Sequence, residues 1–204
     1  MYVKICGLRT AETVAAAVAA GASAVGFVFA PGSSRTVDVE LAATLVAGVP
    51  DGVETVGVFR NQPLDEVLGT ARRAGLTTVQ LHGREPLSDM VRLRGEGFHA
   101  LRAFSAADYA ALDAGEKRAW EPERILLDAV EPGAGVAFDA ATLQGGTPPG
   151  FWLLAGGLNP GNVARLAAAL HPSGVDVSSG VESSRGVKDA GLIRDFIAAA
   201  RLAA

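Results

Sequence analysis

The chain opens Tyr2-Val3-Lys4-Ile5-Cys6-Gly7-Leu8-Arg9-Thr10, and the reading of this stretch decides the fold. Tyr2 to Cys6 is short, largely apolar and rich in β-formers, which predicts a strand. Gly7 allows a sharp turn, and Thr10 standing before Ala11-Glu12 has the side chain that accepts the unpaired N–H groups of a helix start. A strand, a tight loop and a helix therefore follow one another within the first turn of the chain. An open doubly wound sheet that bound a dinucleotide would carry G-x-G-x-x-G after this strand, where Cys6-Gly7-Leu8-Arg9-Thr10 stands instead. That counts against the open sheet.

The same unit recurs along the sequence. Ala24 to Phe29, Thr55 to Phe59, Thr78 to Leu81, His99 to Ala103, Arg124 to Asp128, Phe151 to Ala155 and Val175 to Ser178 are further predicted strands. Helix starts are marked by Pro86 after Glu85, by Ser105 before Ala106, and by Asn159-Pro160 ahead of the Val163, Leu166, Leu170 stripe. Leu192, Ile193, Phe196 and Ile197 share one face of the last helix. Strands buried on both faces read as nearly continuous apolar runs, as these do. Eight of them alternating with helices predict an α/β fold, a (β/α)₈ TIM barrel, as a single compact domain over residues 1–204. No linker or charge block divides the chain.

Composition bounds the function. The 204 residues, 49% hydrophobic and 20% charged, describe a soluble globular protein long enough to bury roughly 70% of its surface without covalent staples. Lys plus Arg is 18 and Asp plus Glu is 22, a net charge of −4, which argues against a nucleic-acid partner. One cysteine and three histidines fit neither a disulfide framework nor a structural zinc cluster, and a reducing, cytoplasmic setting is expected. Met1 to Cys6 shows neither the apolar stretch nor the cleavage site of a signal peptide and no apolar run approaches about 18 residues, so no membrane partner is expected. H-E-x-x-H, G-x-S-x-G and Walker-type spacings do not occur.

In such a barrel the site lies at the C-terminal ends of the strands, which turns strand ends into candidates. Cys6 closes the first strand with its thiol towards the mouth; the alternative is a small buried hydrophobe. Asp128 ends the run Ile125-Leu126-Leu127, where a carboxylate is costly to bury unpaired, although it could cap a loop. Strands one and six face each other across the mouth, and a facing thiol and carboxyl make a general base and a general acid. Gly156-Gly157 after strand seven and Ser179-Gly180 after strand eight are small-residue turns where barrels commonly hold phosphate under a short extra helix. Arg35 lies in the loop after strand two and either forks onto a substrate carboxylate or is a solvated surface side chain. Gln80 and His82 share a parity at the end of strand four and either line the mouth or bond to neighbouring backbone. His99 and His171 receive no function.

Taken together, Lys4-Ile5-Cys6-Gly7-Leu8-Arg9, Gly26-Phe27-Val28-Phe29 with Ser34-Arg35, Val79-Gln80-Leu81-His82-Gly83, Leu126-Leu127-Asp128, Ala155-Gly156-Gly157-Leu158-Asn159, Asp176-Val177-Ser178-Ser179-Gly180-Val181-Glu182 and Gly186-Val187-Lys188-Asp189 resemble the phosphoribosylanthranilate isomerase family of tryptophan biosynthesis. The resemblance spans essentially the whole chain, in order. After Asp128 that family carries a Gly-Ser/Thr-Gly segment and Phe-Asp-Trp, where this chain has Gly133-Ala134-Gly135 and Phe138-Asp139-Ala140.

The resemblance implies Cys6 as general base, Asp128 as general acid, Arg35 as holder of the anthranilate carboxylate, and the turns at Gly156-Gly157 and Ser179-Gly180 as the phosphate cradle. It implies no metal and no organic cofactor, a small phosphorylated substrate, and a monomer or homodimer. The implied reaction is an Amadori rearrangement of N-(5-phosphoribosyl)anthranilate. It asks for a carboxyl whose pKa is raised by partial burial, and for a thiol brought modestly below its ordinary value by cationic neighbours. Two alternatives stand beside it. One is the related aminoaldose isomerisation of histidine biosynthesis, whose family resembles a two-aspartate arrangement with Asp where Cys6 stands. The other is a barrel that binds a phosphosugar without chemistry. A metal-dependent sugar-phosphate epimerase fits less well, since only His82 is placed as a ligand.

Overall fold

Each of the eight apolar runs forms a strand, and the strands pair in parallel in chain order until the eighth meets the first. The computed structural model describes residues 1–128 and 146–203. The barrel strands are β1 (Tyr2–Cys6), β2 (Ala24–Val28), β3 (Glu54–Phe59), β4 (Thr78–Leu81), β5 (His99–Ser105), β6 (Arg124–Asp128), β7 (Trp152–Ala155) and β8 (Gly174–Val177). The predicted ends hold to within two residues. Ser178 lies just beyond β8, at the head of a single 3₁₀ turn over Ser179–Val181.

Helices α1 (Ala11–Ala20), α2 (Val39–Val46), α3 (Leu64–Ala74) and α4 (Leu87–Gly95) follow the first four strands, and β5 is followed by two short helices, α5 (Ala106–Ala111) and α6 (Ala114–Trp120). After β7 comes α7 (Val163–Leu170). A hairpin of β9 (Glu182–Ser184) and β10 (Val187–Lys188) then leads into α8 (Ala190–Arg201). Thr10 and Ser105 cap α1 and α5 as their sequence positions predict, accepting from Thr13 and Asp108 N–H.

The start signal at Asn159-Pro160 stands one turn ahead of α7, which begins at Val163. Asn159 Oδ1 accepts from Gly161 N–H at 2.9 Å, its own N–H donates to Asn162 Oδ1 at 2.8 Å, and its carbonyl accepts from Val163 N–H at 3.1 Å, so the turn leads directly into the helix.

Strand alternation sorts the core into a shell and an interior. Val3 and Ile5 face outward and join the main apolar cluster with Phe196 and Ile197 of α8, while Cys6 faces inward beside Val28 and Val58. Leu101, Leu126 and Leu153 fill the middle of the barrel. At its N-terminal end Arg124 Nη1 meets Glu54 Oε2 at 3.0 Å, Thr78 donates to the same oxygen at 2.7 Å, and the guanidinium lies over the rings of Tyr2 and Phe151. This plug closes the lower end and leaves the C-terminal mouth as the open one.

Candidate active site

Cys6 and Asp128 both reach the mouth because each is the last inward-facing residue of its strand, on β1 and β6. They line one cavity of about 680 Å³ together with Arg35, Gln80 and His82. Gly156, Gly157 and Ser179 line it as well, so the turns after β7 and β8 open onto the same space. Gly180 lies behind them. A Cβ there would overlap the Leu158 carbonyl, so this glycine lets the two turns pack against each other. The Gly133-Ala134-Gly135 and Phe138-Asp139-Ala140 segments fall outside the described residues.

Gly7 takes a φ of +77°, a conformation that favours glycine, and its N–H donates to Gly26 O at 2.9 Å. The backbone thus turns away immediately after Cys6, which is buried yet lines the cavity. The expected lowering of its pKa is corrected. Burial pushes the thiol up, the Asp176 carboxylate adds to this, and the Lys4 and Lys188 ammonium groups offset it only in part.

Gln80 and His82 point the same way, as their parity predicts, and Gln80 Nε2 lies 3.0 Å from His82 Nδ1. The ring's other nitrogen is Nε2. That nitrogen faces Asp128 Oδ2 at 3.8 Å. Burial pushes the His82 pKa down to about 4, which keeps the ring neutral around pH 7.

Arg35 is neither a free fork nor a solvated arginine. Its Nε and Nη2 donate to Glu182 Oε1 and Oε2 at 2.6 and 2.9 Å. Glu182 also receives Lys188 Nζ at 2.8 Å and Gly186 N–H at 3.0 Å, and Lys188 donates in turn to Ser178 O at 2.7 Å. Burial would raise the Glu182 carboxyl, but these partners hold it at about 2. The loop after β2 and the hairpin after β8 are thereby tied together at one edge of the mouth.

Four charged residues escaped the sequence reading. Lys4 and Asp176 interrupt apolar strands at inward positions, a signal that was available. Glu182 and Lys188 lie in a polar loop with no such contrast. Below the mouth Lys4 Nζ donates to Asp176 Oδ1 at 2.8 Å.

Fold and site define a (β/α)₈-barrel enzyme with a thiol and a carboxyl over paired glycine turns. Comparison with known proteins narrows this. The family model of N-(5'phosphoribosyl)anthranilate (PRA) isomerase matches residues 3–199. An N-(5'-phosphoribosyl)anthranilate isomerase of Deinococcus radiodurans is 42% identical over 202 residues, covering 98% of this chain and 96% of that one. The crystal structure of TrpF from Jonesia denitrificans superposes with a TM-score of 0.86 at 40% identity, over 100% of this chain and 98% of that one. A phosphoribosyl anthranilate isomerase solved in complex with reduced 1-(o-carboxyphenylamino)-1-deoxyribulose 5-phosphate gives 0.79 at 33% identity, over 98% of each chain. The chain belongs to the N-(5'-phosphoribosyl)anthranilate isomerase family. Membership sets aside the histidine-pathway and non-catalytic alternatives.

Proposed function

We propose that the protein converts N-(5-phosphoribosyl)anthranilate into 1-(2-carboxyphenylamino)-1-deoxyribulose 5-phosphate, with Asp128 as general acid and Cys6 as general base. The observation that carries this reading is the convergence of both side chains and the two small-residue turns on one cavity. Asp128 protonates the furanose oxygen, and the ring opens to an iminium. Cys6 as thiolate then takes the proton from C2, which the adjacent iminium has acidified. The resulting enolamine tautomerises to the aminoketose.

The turns at Gly156-Gly157 and Ser179-Gly180 hold the phosphate at one end of the substrate, and Arg35 holds the anthranilate carboxylate at the other. Anchoring both ends places C2 between acid and base, and orientation of this kind contributes about 7 to 11 kcal/mol to catalysis. Gln80 and His82 line the same cavity. A free thiol as base works best in a reducing compartment, which supports a cytoplasmic location. Every group in this reading lies on one chain, in a monomer or a homodimer.

The test is the loss of anthranilate-type fluorescence when purified protein meets freshly generated phosphoribosylanthranilate, with Asp128→Asn run alongside. Rapid decay for the wild type and a flat trace for the variant are expected. A flat trace for folded wild type with intact substrate would overturn the proposal.

A further inference from the structure

Two charged side chains inside the barrel take no part in the steps above. Lys4 is fully buried, and its ammonium donates to Asp176 Oδ1 at 2.8 Å. β1 and β8 pair in a register that sets Lys4 directly beside Asp176. Lys4 and Cys6 are two residues apart on the same inward face of β1, and both press on the bare backbone of Gly26. A Cβ at Gly26 would come 3.0 Å from Cys6 Sγ and 3.3 Å from Lys4 Cε. Thiol and lysine stem therefore share the space over Gly26, near enough for a side-chain hydrogen bond between Lys4 and Cys6, and the lysine lies on the closed side.

A buried ion pair is a poor device for stability, because desolvation of both charges offsets their attraction and apolar residues of similar volume usually serve as well. Its position under the thiol indicates another use. Resting on the reading of Cys6 as general base, we infer that Lys4 is a positioning residue whose ammonium, held in place by Asp176, is the counter-ion of the Cys6 thiolate.

Lys4 keeps its proton throughout. In the free enzyme the Cys6 S–H proton leaves to solvent, and in the reaction the sulfur accepts the C2 proton. The charges facing the thiol are Lys4 on β1, Asp176 on β8, Lys188 on β10 and Arg35 in the loop after β2. Among those acting on the thiol, Lys4 favours the thiolate most, while Asp176 opposes it. Burial works against the charge on Lys4, yet Asp176 and Cys6 outweigh it and hold the ammonium above the ordinary lysine range.

The chain has one cysteine, so alkylation by iodoacetamide as a function of pH reports Cys6 alone. Thiolate ultraviolet absorbance, with Cys6→Ala as blank, gives the same midpoint independently of access. Lys4→Met is expected to raise the midpoint by about one pH unit or more, which is a tenfold loss of thiolate at a given lower pH. The value of kcat at neutral pH should fall by a similar factor, with KM little changed. Lys4→Arg should restore the midpoint. Asp176→Asn should lower it, because the ammonium then serves the thiolate alone. A Lys4→Met midpoint equal to the wild type, or an Asp176→Asn midpoint that rises, would overturn the inference. If Lys4→Met does not fold, Lys4→Gln, which keeps a polar head beside Asp176 without the charge, is titrated in its place, and a midpoint equal to the wild type overturns the inference. A fully active Cys6→Ala would remove the reading of Cys6 as base, while the titrations would still test the counter-ion.

Discussion

Arg35 and Glu182 meet through two parallel hydrogen bonds of 2.6 and 2.9 Å across 147 residues of chain. The carboxylate is buried and the guanidinium half-buried at the mouth, so the fork that is proposed to take the substrate carboxylate is itself held by a carboxylate. Two of its donors face Glu182, which orients the group and leaves the remaining Nη1 edge for a ligand.

Glu182→Gln should therefore act mainly on substrate binding. Loss of a charge-assisted pair of this kind costs about 1.5 to 3 kcal/mol. KM is expected to rise by roughly tenfold or more, with a smaller change in kcat, in steady-state assays. Arg35→Ala should show the same pattern, and an unchanged KM in both would confine the pair to tying the two loops together.

The same pair sets an acid limit on stability. The Glu182 carboxyl is held at about 2, below its reference value of 4.5, so the folded state prefers it ionised. This contribution is fully present above about pH 4.5 and is lost as pH falls towards 2. Urea unfolding across that window should show stability falling with pH more steeply in the wild type than in Glu182→Gln.

His82 adds a limit at milder pH. Its pKa is pushed down by burial from 6.5 to about 4, so the unfolded chain binds the proton more readily between those values. Stability that is present above pH 6.5 declines as pH falls towards 4. Imidazole proton NMR should place the midpoint of His82 well below that of a free histidine, and a midpoint above 6 would contradict its burial.

Asp128→Asn is expected to lower kcat by roughly 10² or more while KM stays nearly constant, as for loss of a general acid. Cys6→Ala should behave likewise. Near-normal turnover in either would move that role to another residue.

Gly180→Ala tests the joint between the two turns. The added methyl would overlap the Leu158 carbonyl, which is backbone and cannot swing aside. A cost of about 1 to 3 kcal/mol is expected, read as a lowered Tm, with a raised KM for the phosphorylated substrate. An unchanged Tm would mean that the turns separate freely.

What could be read from the sequence was whatever depends on local periodicity. Apolar runs of strand length, with caps such as Thr10 and Ser105 between them, were enough to predict the barrel. Parity along strand four sent Gln80 and His82 the same way, because alternation of side chains is a property of the strand itself, and Gly7 after Cys6 set that thiol at the strand end. Asn159 marked the turn that leads into α7, its side chain and carbonyl both accepting from that turn's N–H groups. Tertiary structure decided the electrostatics. The partnership of Arg35 with Glu182, the seating of Lys4 on Asp176 and the upward push on the Cys6 thiol all depend on β8 closing against β1 and on burial in the closed barrel. Charge partners far apart in the chain leave no periodic trace, and desolvation is set by what the completed fold excludes from water.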